Sequence, residues 1–245
     1  MNEERRESSL GDTFVELADT LVSDFDAVDF LHTLASRCVE LLDVDAAGLV
    51  LADATGNLRA VASSSEQMHL LELFEIQNEE GPCLDCYRSG EPVTEERLES
   101  TERWPRFAGE AVAAGFRSVQ AAPMRLRTEV IGALNLFRTE PGRLDDADLA
   151  LSRALAGIAT ISLLQERALR EARLVTERLQ IALNNRIVIE QAKGVLAERG
   201  GLDMESGFEL LRRYARSHNR KLAVVALDLI EERISASDLG ADWSS

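Results

Sequence analysis

The sequence predicts an α+β domain, with an antiparallel sheet flanked by helices, then a long coiled-coil-like helix and an all-α module of three helices. Three observations predict it. Helical and strand periodicities follow one another up to residue 137 in the order helix, strand, strand, helix, helix, strand, strand, and a further helix comes next. From Leu144 to about Leu183 there is no proline and the single glycine is Gly157. Residues 186–230 then hold three short amphipathic segments, parted at Gly200-Gly201 and near Asn219.

The elements follow in order. Residues 13–24 and 27–42 read as amphipathic helices; in the second, Leu31, Leu34, Cys38, Leu41 and Leu42 keep a helical period. Residues 46–52, AAGLVLA, form an apolar strand, and the turn 53–57 leads into an alternating strand at 58–63. Residues 67–77 are helical. Gly81-Pro82 breaks the chain, and a short helix restarts at 83–89 with Pro82 near its first turn. Residues 91–93 lead into a loop, and 104–114 form the next helix. Apolar strands at 118–124 and 130–137, joined by the polar link 125–129, make a hairpin. A long helix opens at 144–146.

Heptads run through Leu151, Leu155, Ile158, Ser162, Gln165, Leu169, Ala172, Thr176, Leu179 and Leu183, with polar breaks at Ser162, Gln165 and Thr176. One reading makes this a seam for a parallel homodimer throughout. The other packs 149–164 on the sheet and leaves only the second half for a partner helix. In the C-terminal module, Val188, Ala192, Val195 and Leu196 make one apolar stripe, and Phe208, Leu211 and Ala215 another. Leu222, Val225, Leu229 and Ile230 face inward on the last helix. Asp203 is placed to cap the second helix and Asn219 the third, with Arg220 and Lys221 in the third helix's first turn.

Bulk properties bound the function. With 45% hydrophobic residues in 245, the chain can bury real cores. No run of about 18 apolar residues stands out, so no membrane span is expected. The first residues, MNEERRESSLGD, lack an apolar signal core, and three cysteines suggest no disulfide framework, so a cytoplasmic location is expected. Net charge is −16, but residues 166–234 carry 13 basic and 11 acidic side chains while 1–165 carry 14 and 30. Acidity is thus an N-terminal property, and the charge asymmetry hints at nucleic-acid contact by the C-terminal part. The only two lysines, Lys193 and Lys221, lie in that part.

Cys83 and Cys86 form a C-x-x-C that reads as a small apolar core pair, as redox thiols, or as nucleophile and resolver. No zinc site is expected: there is no second such pair, and His32, His69 and His218 are scattered. Cys38 sits on an apolar helix face as core. A sensory pocket is expected between the sheet and residues 65–117, with Met68, Phe74, Tyr87, Trp104, Phe107 and Phe116 as candidate walls. No haem, flavin, chromophore or cyclic-nucleotide signature stands out, and no cofactor is expected.

The C-terminal residues Arg186, Ile189, Gln191-Ala192-Lys193-Gly194, Leu196, Arg199, Phe208, Leu210-Leu211-Arg212, Ala215, Asn219-Arg220-Lys221-Leu222 and Ala226 closely resemble the ANTAR domain, an RNA-binding module of bacterial antitermination regulators. Glu80-Gly81-Pro82-Cys83-Leu84-Asp85, Arg103-Trp104-Pro105-Arg106-Phe107, Gly115-Phe116-Arg117-Ser118-Val119 and Gly132-Ala133-Leu134-Asn135-Leu136 resemble the GAF sensor domain, in the form seen ahead of ANTAR modules in actinobacterial regulators. The expected division is a GAF-like domain at 12–165, a connector at 166–183, an ANTAR module at 184–234 (or from near 173), and a disordered tail at 235–245. The resemblance implies a non-enzymatic regulator that binds tandem hexaloop stem-loops in nascent RNA as a dimer, under control of a small molecule or redox change. No receiver signature appears, so phosphorylation control is not expected. Candidate RNA contacts are Arg186, Gln191, Lys193, Arg212, Arg213, Arg216, Asn219, Arg220 and Lys221, with Tyr214 and His218 as stacking groups. Two other readings stay open: a sensing adaptor that binds protein without RNA, and a thiol-dependent GAF-fold reductase using Cys83 or Cys86.

Overall fold

The computed structural model describes residues 26–240 together with Gly11, Thr13 and Val15. Apart from Thr13 and Val15, the helix expected over 13–24 lies outside the described residues, as do residues 241–245 of the expected tail. The chain divides into two compact units, 1–168 and 169–245.

The first unit is built on a five-stranded antiparallel sheet of order β2-β1-β5-β4-β3. Helix α1 (Ala27–Leu41) starts where the Asp26 carboxylate accepts the Val28 N–H at 2.7 Å. Strands β1 (Ala46–Ala52) and β2 (Leu58–Ser63) follow as a hairpin, whose turn is tied by Asp53 accepting from the N–H groups of Thr55 and Asn57. Helices α2 (Glu66–Asn78), α3 (Pro82–Ser89) and α4 (Pro105–Ala113) come next, the last two with proline in the first turn, where a missing N–H costs nothing. Strands β4 (Ser118–Leu126) and β5 (Glu129–Arg138) form the expected hairpin. Their pairing runs to Leu126 opposite Glu129, so the link is two residues long rather than five, with Arg127 at φ 56°. One strand is new: β3 (Val93–Glu95), where a loop is expected, pairs with β4 at the sheet edge.

Alternation along the strands divides the core into two layers. Leu49, Ala122, Met124, Leu134 and Leu136 pack with α1 and with Leu155, Ala156 and Ala159 of helix α5 (Asp146–Gly200). Ala46, Val50, Val119, Ala121, Ala133 and Phe137 pack on the other face with α2, α3 and α4. Leu151, Leu155 and Ile158 thus belong to the sheet core, as the second reading of the heptads expects. One stretch of α5 has the length and composition of a membrane span, which the sequence reading does not anticipate. Three residues of the same helix, Leu155, Ala156 and Ala159, are fully buried in the sheet core.

In the second unit, the C-terminal part of α5, helix α6 (Met204–Ser217) and helix α7 (Leu222–Ile230) enclose a core of Ala192, Leu196, Leu210, Leu211, Ala215, Val225, Ala226 and Leu229. The expected connector and first module helix are one uninterrupted helix, because no helix breaker stands between Gly157 and Gly194. That helix ends at Gly200, with Gly201 at φ 59° closing it. Asp203 caps α6 as expected, accepting from Glu205 and Ser206 N–H. Asn219 does not cap α7. It closes α6 in the left-handed conformation, φ 49°, while Arg220 N–H reaches the Ala215 carbonyl at 2.8 Å. Helix α7 then begins after Lys221, so Arg220 and Lys221 precede its first turn. The expected tail disorder does not hold for 235–240: these residues form turns, and Leu239 is buried in the module's core.

Candidate functional site

The second unit presents its cations in two classes. Lys193 lies on α5 with its side chain only 15% exposed, held by Glu190 at 2.9 Å and 5.9 Å from the Phe208 ring centroid. Arg212 pairs with Glu209 at 3.0 Å. Arg220 is bound to Asp228 of α7, whose other oxygen takes Arg233 at 3.0 Å. Those two guanidinium groups, Arg220 first, hold the Asp228 carboxyl below the usual range. Asp228 also offsets the cost of cations ahead of α7, and the sequence reading does not single it out.

The other class is exposed and makes no ion pair among the described residues: Arg186 on α5, Arg213 and Arg216 on α6, and Lys221 before α7. Gln191 and Asn219 are exposed beside them in sequence. Tyr214 and His218, one helical turn apart, stack with ring centroids 3.9 Å apart and planes 23° apart. His218 is exposed and its Nδ1 lies 3.0 Å from the Tyr214 carbonyl. Arg213, Arg216, His218, Asn219 and Lys221 are therefore gathered at the C-terminal end of α6 and the turn that follows. Unpaired cations, an aromatic pair and the Asn219 amide on one short segment are suited to phosphates and unpaired bases.

The first unit places the six expected pocket residues differently from one another. Met68, Trp104, Phe107 and Phe116 are buried together, with Trp104 edge-on to Phe107 and Phe116 against Phe137. The Trp104 indole N–H donates to Asp85 at 3.0 Å, and Arg103 lies over its ring. Phe74 and Tyr87 instead line shallow surface depressions, Phe74 with Leu70 and Ala113, Tyr87 with Leu51 and Leu163. Cys83 and Cys86 are free thiols, both fully buried. Burial, with Glu75 nearby, pushes the Cys86 thiol up to about 12 and that of Cys83 well above its usual value. A thiolate nucleophile is therefore disfavoured at both positions.

The same layer contains a buried polar cluster that the sequence reading misses. Glu72 and Glu75 of α2, Cys83 of α3 and Asn135 of β5 are all 0% exposed. Asn135 sits directly opposite Gly48 of β1, and a Cβ on Gly48 would meet the Glu72 carboxyl at 2.2 Å. A Cβ on Gly81 would meet Glu75 Oε1 at 2.3 Å, so both glycines make room for carboxyls. Glu75 Oε1 accepts the Cys83 N–H at 2.6 Å. Both Glu72 oxygens, Glu75 Oε2 and both polar atoms of the Asn135 amide have no hydrogen-bond partner. Burial raises both carboxyls, Glu75 to about 8, and Glu75 adds to the rise at Glu72.

Comparison with known proteins bears on both units. The GAF domain model matches residues 26–163 and the ANTAR domain model matches residues 177–230. No curated protein matches the chain. Among solved structures, a domain of a protein described as a two-component sensor histidine kinase from Sinorhizobium meliloti is 18% identical, with a TM-score of 0.52, covering 61% of this chain and 99% of that one. The GAF domain of an Acinetobacter phosphoenolpyruvate-protein phosphotransferase is 19% identical, with a TM-score of 0.51, covering 69% and 97%. At such identities the likeness concerns the fold of the first unit alone.

Proposed function

This chain belongs to the GAF domain family and carries an ANTAR domain, and from that premise we propose that it is a signal-responsive RNA-binding antitermination regulator rather than an enzyme. The observation that carries the reading is the cluster of exposed, unpaired cations with the Tyr214–His218 stack inside the ANTAR match. Arg186, Arg213, Arg216 and Lys221 contact phosphates; Tyr214 and His218 stack on loop bases; Gln191 and Asn219 read base edges. Lys193, Arg212 and Arg220 reach RNA by exchanging a carboxylate for a phosphate, which weakens their net contribution relative to the unpaired cations. The RNA is a tandem pair of hexaloop stem-loops, bound by a homodimer in the cytoplasm, as in actinobacterial regulators of this arrangement.

The dimer is supported by α5. Leu169, Leu179 and Leu183 are at least half exposed on the described chain, at the spacing of a coiled-coil seam. The GAF domain supplies the signal, and its occupancy biases pairing of the connector. The test is transcription in vitro through a terminator preceded by two hexaloop stem-loops. Added protein is expected to raise read-through, and the Arg213→Ala/Arg216→Ala/Lys221→Ala variant to leave termination unchanged. Equal read-through with that variant, or none with either protein, sinks the reading. The buried state of Cys83 and Cys86 counts against the reductase alternative, and the unpaired cations count against an adaptor that ignores RNA.

A further inference from the structure

We propose that the sensor domain's ligand is a small donor-rich cation, a primary ammonium or an amidinium, received by Glu72, Glu75 and Asn135. The proposal rests on the sensor reading above and names the ligand class for it. The unpartnered atoms of the cluster decide the class. With the carboxyls ionised, as a bound cation requires, Glu72 Oε1 and Oε2, Glu75 Oε2 and Asn135 Oδ1 are acceptors, and Asn135 Nδ2 is the one unpartnered donor in the cluster. A phosphate, a carboxylate or a haem propionate brings negative charge and more acceptors to a buried site whose own side-chain atoms are mostly acceptors. An ammonium or amidinium brings donors and the missing positive charge.

The site is built rather than incidental. Asn135 occupies the layer-facing position between Ala133 and Phe137, where neighbouring strand positions are apolar. It lies beside both the Glu72 carboxyl and the Cys83 thiol. Gly48 and Gly81 hold open the space the two carboxyls occupy. No lysine, arginine or histidine pairs with either carboxyl among the described residues, and an unpaired charge in such a place is costly. A metal ion is the poorer fit, since no group of three His, Cys, Asp or Glu among the described residues could hold one. Burial raises both carboxyls, Glu75 to about 8, so Glu75 holds its proton in the free protein at neutral pH; taking up the cation ionises it and releases that proton to solvent. All four side chains are enclosed, so entry requires α2 or α3 to shift, which links occupancy to the position of that face.

The experiment uses the full chain with methylammonium and acetamidinium chlorides as probes, and sodium chloride and sodium acetate at matched ionic strength as controls. At 100-fold excess over Kd, the melting temperature of the sensor domain is expected to rise by about 5 °C or more with the cations. Calorimetry in two buffers of different ionisation enthalpy is expected to show about one proton released per cation bound at pH 7. Glu75→Gln is expected to lose the proton release, and Glu72→Gln to weaken binding. Equal effects of cations and sodium chloride, or cation binding without proton release in the unaltered chain, overturn the proposal without relying on any variant. RNA affinity measured in the same samples keeps the two readings apart. Cation binding that leaves RNA affinity unchanged supports the ligand class while breaking its coupling to RNA. RNA binding with no response to either probe overturns the ligand class alone.

Discussion

Replacing Glu75 by glutamine exchanges a buried acid for a neutral group of the same shape. The amide carbonyl can keep the bond that Oε1 accepts from the Cys83 N–H at 2.6 Å. What disappears is the cost of keeping a carboxyl protonated. Below pH 4.5 that carboxyl is protonated whether the chain is folded or not, and it costs nothing. As pH rises, the unfolded state ionises while the folded state holds its proton up to about 8, so stability falls across that window and then levels. With those values the native state loses about 3 kcal/mol at pH 7. The new amide N–H₂ forfeits about 1–2 kcal/mol because it lacks an acceptor at the Oε2 position. The variant is therefore near or below the unaltered protein at pH 5 and more stable at pH 8. The gap between the two grows by about 3–4 kcal/mol across that range. Urea unfolding followed by Trp104 fluorescence, in a Trp243→Phe background, reads the first unit directly. A gap that stays constant from pH 5 to pH 8 would refute the argument that Glu75 is a neutral buried acid.

Other expectations follow from the same geometry. With Cys38 and Cys86 both pushed up to about 12 and Cys83 raised as well, fewer than one thiol per chain should react with a disulfide reagent within minutes at pH 8, and all three only in urea; rapid reaction of two thiols in the native protein would revive a redox role. Asn219 at φ 49° closes α6, so Asn219→Ala should cost the C-terminal unit about 1 kcal/mol and Asn219→Gly almost nothing, as read by thermal unfolding of both variants; equal losses would show that the side chain, not the backbone, matters there. Leu179→Glu/Leu183→Glu should convert a dimer to a monomer by light scattering, since these residues are 66% and 53% exposed on the described chain, and an unchanged mass would remove α5 as the seam.

Much of the fold is legible because local chemistry and tertiary packing agree. The Asp26, Ser65 and Asp203 caps, the prolines at the starts of α3 and α4, and Gly201 all stand where a chain-level reading places helix ends or their neighbours. Strand β3 escapes because three residues after Pro92 carry no period, and its pairing with β4 is a tertiary fact. Asn219 reads equally well as an N-cap or as a left-handed C′ residue, and only the backbone decides. Glu72 and Glu75 escape for a different reason. In α2 the buried stripe is Met68, Leu71, Glu72 and Glu75, while Leu70 is 61% exposed and Phe74 half-buried. Hydrophobicity favours turning Phe74 inward, and the glycines at 48 and 81 make space for carboxyls instead. The signal was present as spacing, since 68, 71, 72 and 75 fall at i, i+3, i+4 and i+7, but charge masks it. In the C-terminal unit the cations were visible, whereas their division into paired and unpaired sets depended on Glu190, Glu209 and Asp228.

That division makes the RNA-binding claim measurable. The decisive measurement is the affinity of the full chain for a tandem hexaloop stem-loop RNA across a salt series, beside Arg213→Ala/Arg216→Ala and Lys221→Ala. Binding should weaken with salt, and the slope of log K against log salt should drop by about 0.7–0.9 for each phosphate-contacting cation removed. The double variant should lose more affinity than Arg212→Ala, whose guanidinium is already held by Glu209. Binding that is absent, or that keeps the same affinity and salt slope in all the variants, would contradict the account.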